Sequence, residues 1–257
     1  MKISFCTVSK DRLNFLQQTL PENIRDNEDY DVEFVILNYN SSDGIDDYIR
    51  DYWGALIKAG KLSYFKESTA QHFKPAHSRN LCMRLASGDI ICNVDADNFT
   101  GKICKFINKA FEKNKTIICS PYIFTKQALD THGRIAIKKT EWLRIGGYDE
   151  SLIGWGGEDW DLIRRCQKMG WNINYFPKAN LNRIPHNDSV RVENVDFGFE
   201  VSDATQAKKM TARKNYDTTT EKLKKGELIA NPKTWGVGTV TKNFNEIITL
   251  KNALPFV

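Results

Sequence analysis

An α/β fold, with a mostly parallel central sheet flanked by helices, is what three features of this 257-residue chain predict. Apolar, β-branched runs alternate with helix-period stripes over the first ~120 residues, the order of a doubly wound sheet. One run, Ile90 to Val94, is apolar enough for a buried parallel strand. Two of the runs lead into polar segments, Asn38 to Gly44 and Asp95 to Asn98. These lie at the carboxyl ends of strands, where open α/β sheets take their ligands.

Ile3 to Val8 is the first strand, and Ser9 to Arg12 is a turn with a helix-capping signal. The helix that follows puts Leu13, Leu16 and Leu20 on one face. Val32 to Leu37 is the second strand, Ile45 to Ile57 a helix, and Leu62 to Phe65 a short strand. Ala76 to Ala86 is a helix with Leu81, Cys82, Leu85 and Ala86 on its apolar side, closed by Gly88. Ile103, Phe106, Ile107, Ala110 and Phe111 give an i, i+3, i+4, i+7, i+8 stripe for the next helix. Thr116 to Cys119 is a strand stopped by Pro121. A helix starts near Glu158, carries Leu162, Ile163 and Cys166 inward, and is capped by Gly170.

Composition is that of an ordinary globular protein, 41% hydrophobic and 27% charged, with a net charge of +5. So diffuse an excess argues against nucleic acid, and the lysines at 208–209 and 222–225 read as a solvated helix face. The six cysteines form no C-x-x-C pair and sit mostly in apolar runs, which fits buried free thiols in a reducing compartment. No apolar stretch approaches the ~20 residues of a membrane span. The expectation is a cytoplasmic protein, with peripheral membrane contact left open. Neither G-x-G-x-x-G nor G-x-x-x-x-G-K-[ST] occurs, so any phosphate must be met by side chains such as Arg12, His77 and Arg79, or by a metal.

Two groups of residues carry chemistry. Asp95 and Asp97, two apart after a strand, can point the same way, and two close carboxylates call for a cation between them. A divalent ion that also grips a diphosphate would supply one, although the same acids can be solvated loop residues. Next, Ile145 to Asp161 is a glycine-rich segment running into Glu158, Asp159 and Asp161. Acids at a helix start are favoured by the macrodipole, by roughly 0.3–1 kcal/mol each. That alone does not call for the glycines before them, or for Trp155 and Trp160 around them. Aromatic faces that stack on sugar rings, beside carboxylates that accept hydroxyl hydrogen bonds, are what a carbohydrate site requires, and a carboxylate there can serve as general base. His186 is a candidate ligand because a cation on the two aspartates leaves room for an imidazole.

N-V-D-A-D at 93–97 followed by W-G-G-E-D-W-D at 155–161 and then His186 resembles inverting glycosyltransferases of the nucleotide-diphospho-sugar transferase (GT-A) fold, family 2-like. The second half resembles the acceptor module of β-1,4-galactosyltransferases and chondroitin-polymerase-type enzymes, and the likeness spans roughly residues 3 to 190. It implies a metal-dependent inverting hexosyltransferase. The reaction would move a sugar from a nucleotide-diphospho-sugar, with a UDP-sugar the first expectation, to a carbohydrate hydroxyl in polysaccharide or glycoconjugate synthesis. By the resemblance, Asp95, Asp97 and His186 hold manganese (or magnesium), and Asp159 is the catalytic base. Glu158, Asp159, Trp155 and Trp160 bind the acceptor. Thr7, Arg12, Asn38, Asp43, Arg79, Asp95, Ala96 and Asp97 bind the donor. Asn38 departs from the family's usual aspartate at the base-binding position, although its amide oxygen can still accept a ring N–H.

The implied organisation is a GT-A domain over residues 1–190, with a nucleotide-sugar half at 1–100 and an acceptor half at 101–190. Residues 191–257 are expected to be an extension packed on it, with a polar surface helix over 203–216 and a turn and strand at 235–240. A nucleotidyltransferase would share the sheet and the acids but should carry a glycine- and arginine-rich first loop, which Thr7 to Arg12 lacks. An inactive carbohydrate binder should have lost an acid or the histidine, and all are present.

Overall fold

The computed structural model describes residues 1–112, 117–122 and 131–252. Its elements run β1 (Ile3–Ser9), α1 (Leu13–Asn27), β2 (Val32–Tyr39), α2 (Ile45–Lys58), β3 (Leu62–Glu67), α3 (Pro75–Leu85), β4 (Ile90–Asn93), β5 (Asn98–Phe99) and α4 (Cys104–Glu112). After these come β6 (Ile117–Ser120), β7 (Ala136–Lys138), α5 (Lys139–Arg144), α6 (Glu158–Lys168), β8 (Asn172–Tyr175), a 3-10 turn (Lys178–Asn180) and β9 (Asn182–Arg183). The chain ends in α7 (Asp188–Val192), α8 (Ala204–Lys224), β10 (Gly238–Lys242) and β11 (Glu246–Leu250). Thr116, expected to open the strand at 116–119, lies outside the described residues.

Among the described residues, nine strands form one sheet in the order β11-β10-β3-β2-β1-β4-β7-β6-β8. Only β7 and β10 run against the rest, so the sheet is mostly parallel in direction. Alternation along each strand sorts the core onto two faces. Ile90 and Cys92 point to the layer of α1, α2 and α4, where Leu16, Ile49 and Phe111 are buried. Ile91 points to the opposite layer of α3, α5 and α6, with Leu81, Trp142 and Leu162. The six cysteines are free and buried, and they divide between the faces: Cys6, Cys82 and Cys166 on one, Cys92, Cys104 and Cys119 on the other.

Helix ends follow local rules in some places and tertiary ones in others. Gly170 takes φ +75°, and the bonds from Gly170 N to Gln167 O and Trp171 N to Cys166 O close α6 as expected. Gly88 does not cap α3, because Ala86 is already extended. It is needed for close approach: a Cβ there would stand 2.5 Å from Ser4 Oγ and 2.9 Å from Lys2 O. Ser9 to Arg12 supplies no side-chain cap to α1. Asp43 reaches across from the loop after β2 and accepts from Leu13 N at 2.7 Å.

The C-terminal residues are built into this fold. Trp235 is fully buried edge-to-face with Trp142, at a centroid distance of 5.1 Å. β10 pairs antiparallel with β3, and β10–β11 extends the sheet. Phe244 packs on Tyr64 and Ile248 on the core, while Ile247 is exposed. α8 continues to Lys224, well beyond the expected 203–216. No helix among the described residues is long and apolar enough to cross a membrane.

Candidate active site

A cleft of about 410 Å³ opens at the carboxyl ends of β1 and β4, within the range of small-ligand sites. Its floor is built by three elements brought together around one guanidinium. β4 delivers Asp95, whose Oδ1 accepts from Asn93 Nδ2 and from Arg79 Nη2, both at 3.1 Å. α3 supplies Arg79, and α6 begins with the acids. Arg79 Nη1 donates to Glu158 Oε1 at 2.7 Å and to Asp159 Oδ1 at 3.2 Å. One cation thus ties the Asp-X-Asp segment to the glycine-loop acids. Burial pulls Arg79 downward in pKa, but Asp159, Asp95 and Glu158 outweigh it and hold the guanidinium well above its ordinary value. Asp159 moves up to about 8, because burial and the neighbouring Glu158 and Asp95 exceed the pull of Arg79. Carboxyl groups raised this far are characteristic of acid–base sites.

Asp161, the third acid of the helix start, has a structural task. It pairs with Arg165 at 2.7 Å, both are buried, and Arg165 also donates to Ile145 O and Gly147 O.

Asp97 meets His186: Nε2 stands 2.8 Å from Oδ2, while Asn98 Nδ2 donates to Oδ1 at 2.8 Å. His186 Nδ1 lies 3.2 Å from Asn187 O. The tautomer that donates Nδ1–H to that carbonyl leaves an Nε2 lone pair facing a carboxylate oxygen, a contact that calls for a proton or a cation. An imidazole fixed through its other nitrogen to a carbonyl is the usual dress of a metal ligand. The donor set therefore fits a hard divalent ion that accepts one nitrogen. The expected third ligand, Asp95, is drawn to Arg79 instead, although a third of its side chain stays open. Among the described residues no three His, Cys, Asp or Glu side chains converge as a metal cage.

The remaining expected residues separate into two sets. Arg12, Ala96, Trp155 and Trp160 line the cleft. Arg12 donates to Val190 O and stands 3.7 Å from Glu193, which fastens α7 to the first turn. Thr7, Asn38 and Asp43 do not line it. Thr7 is buried within β1, and Asp43 caps α1. Asn38 is fully buried. Its Nδ2 donates to Asp46 Oδ1 and Tyr64 Oη, and its Oδ1 accepts from Ser41 N. The oxygen expected to read a base is already committed.

The structure also adds residues that the motifs did not indicate. Lys208, Ala212, Tyr216 and Thr219 of α8 form one wall. Behind them Thr211 Oγ1 accepts from Trp155 N at 3.1 Å, and Asn215 Nδ2 donates to Ile153 O at 2.9 Å and Gly156 O at 2.7 Å. Gly154 and Gly157, at φ +68° and +102°, are required twice over, since a Cβ would strike Thr211 or Asn215 within 2.8 Å. Gly133 is another close approach: a Cβ would lie 2.6 Å from Asp95 Oδ2. A run of spaced Thr and Asn on a helix carries no apolar stripe, so nothing in the sequence marks this face as buried.

A family model described as the N-terminal domain of galactosyltransferase matches residues 124–187, the stretch that holds the glycine loop, Glu158, Asp159 and His186. No curated protein matches the sequence. Among solved structures, the chain is similar to the mannosyltransferase PcManGT from Pyrobaculum calidifontis in complex with GDP-Man and Mn2+. The identity is 14% and the TM-score 0.58, over 89% of this chain and 76% of that one. It is similar to S. aureus TarS 1–349 in complex with UDP, at 14% identity and TM-score 0.52 over 98% and 99% of the two chains. A mutant Drosophila β-1,4-galactosyltransferase 7 with manganese, UDP-Gal and xylobiose matches at 15% identity and TM-score 0.51, over 80% and 79%. At such identities the likeness is one of fold. The mixed α/β architecture with its large, mostly parallel sheet is the GT-A glycosyltransferase fold.

Proposed function

We propose that this protein is a metal-dependent, inverting glycosyltransferase that moves a sugar from a nucleotide-diphospho-sugar, a UDP-sugar in the first instance, to a carbohydrate hydroxyl. One observation carries the reading: Arg79 joins Asp95 to Glu158 and Asp159, so donor-side acids and a raised carboxyl face the same cleft. Asp97 and His186, with Asp95 beside them, would hold the divalent ion, which when bound would offset charge on the departing diphosphate.

The chain's own residues do the rest. Asp159 takes the proton of the acceptor hydroxyl. That oxygen bonds to the anomeric carbon as the bond to the diphosphate breaks on the opposite face, which inverts the configuration. Trp155 and Trp160 offer faces for the acceptor ring, and Glu158 accepts from its hydroxyls. Arg79, released from the acids by donor binding, is placed to meet the diphosphate, with Arg12 lining the same cleft. The glycine loop is held by Thr211 and Asn215, which favours a preformed acceptor site over a loop that closes on the donor.

The test is nucleotide release from a panel of UDP- and GDP-sugars, with manganese and with chelator. Manganese-dependent release from one donor is expected. A folded sample that neither binds nor turns over any of them would overturn the reading.

A further inference from the structure

Arg134 is fully buried, yet it differs from the other buried arginines of the interior. Arg79 and Arg165 are paired with carboxylates, whereas Arg134 has no carboxylate in ion-pair range among the described residues. Its Nη1 donates to Asn180 O and its Nη2 to Asn98 Oδ1 at 3.0 Å, and among the described residues Nε has no partner. Burial outweighs Cys92, Asp95 and Asp97 and draws this guanidinium down to about 10. A cation kept in the interior with no carboxylate paired directly to it is costly, and a purely structural tie between loops needs no charge.

The bond to Asn98 gives the cost a use. A guanidinium can only donate, so Arg134 fixes which end of the Asn98 amide faces it. The oxygen turns to Arg134, and the Nδ2 must then turn to Asp97 Oδ1, where it is found at 2.8 Å. Asn98 cannot drift. Its backbone N donates to Asp95 O at 2.9 Å, its O accepts from Asn23 Nδ2 at 3.0 Å, and the residue is buried. With Oδ1 of Asp97 held, Oδ2 is left toward His186. Resting on the metal-dependent reading above, we infer that Arg134 and Asn98 are positioning residues for the divalent ion, acting in series through Asp97. Partners behind a ligand typically set ~10–100-fold of metal affinity.

The experiment is Mn2+ binding to the whole protein, followed by the EPR signal of free Mn2+, with thermal unfolding recorded beside it. Asn98→Ala and Arg134→Met are each expected to weaken Mn2+ binding by about 10-fold or more. The double variant should bind no more weakly than the weaker single, because the two act on one chain of bonds. Arg134→Met fills a similar volume and decides the matter if Asn98→Ala does not fold. Wild-type Mn2+ affinity in either folded variant overturns the inference while leaving the proposed function standing, as do losses that multiply in the double variant. A wild-type protein that binds no Mn2+ overturns both.

Discussion

At the scale of single residues, the site turns on how Arg79 divides itself among three acids. Burial and the neighbouring acids hold Asp159 up to about 8, which favours its protonated form in the free protein. If it is the base, kcat/KM should rise about tenfold per pH unit below 8 and level off above it, and Asp159→Asn should remove the transfer reaction while donor binding persists. Stability should run the other way. The folded state keeps a proton on Asp159 that the unfolded chain has lost above pH ~4, so stability falls as pH rises from about 4 to 8. Asp159→Asn should flatten that slope in unfolding curves taken across the range. Asn38 shows why an aspartate is absent there: its Nδ2 donates to Asp46, whose other oxygen is bound by Lys66. Asn38→Asp would set two carboxylates together, at an expected cost of about 1–3 kcal/mol in denaturant unfolding. Motif spacing singled out Asp159, Asp97 and His186 in the sequence, and the fold brings all three to one cleft. Two of the three partners of Arg79, Glu158 and Asp159, were not legible as such, because they lie 79 and 80 positions away and only the packing of α3 on α6 brings them near.

Elements tell a second story, centred on α8 and the glycine loop. Sequence patterning finds α8 but reads it as surface, since its buried face is made of Ala207, Thr211, Asn215 and Thr219, with Leu223 alone strongly apolar. Hydrophobic periodicity cannot report a face whose business is hydrogen bonding. The glycine-rich run was legible, but the helix it packs against was not. Asn215→Ala would orphan two loop carbonyls and should cost about 1–3 kcal/mol, with kcat/KM for the acceptor falling more than donor affinity. Steady-state kinetics with each substrate varied would separate the two. An equal loss for donor and acceptor would mean that α8 supports the whole cleft and not the acceptor side alone.

For the whole molecule, the alternation of strands and helices made the parallel core readable, while the far edge of the sheet was hidden. β10 joins β3 across more than half the chain, and no local pattern encodes such a pairing. Trp235 belongs to the same core as Trp142 and Leu81, so Trp235→Ala should cost about 3–5 kcal/mol in chemical unfolding, as for any large interior residue. A marginal cost would mean that the last segment is an appendage after all. The six interior thiols carry a practical consequence. Burial pushes Cys92, Cys104 and Cys166 up to about 12, so a thiolate-seeking label reaches them only when the interior opens. Three thiols sit on each side of the sheet, and each is a stopwatch for its own layer. Mass-resolved alkylation should therefore time the two layers separately in one experiment. One shared rate for all six would describe a protein that opens as a unit, and two rates would reveal which layer lets go first.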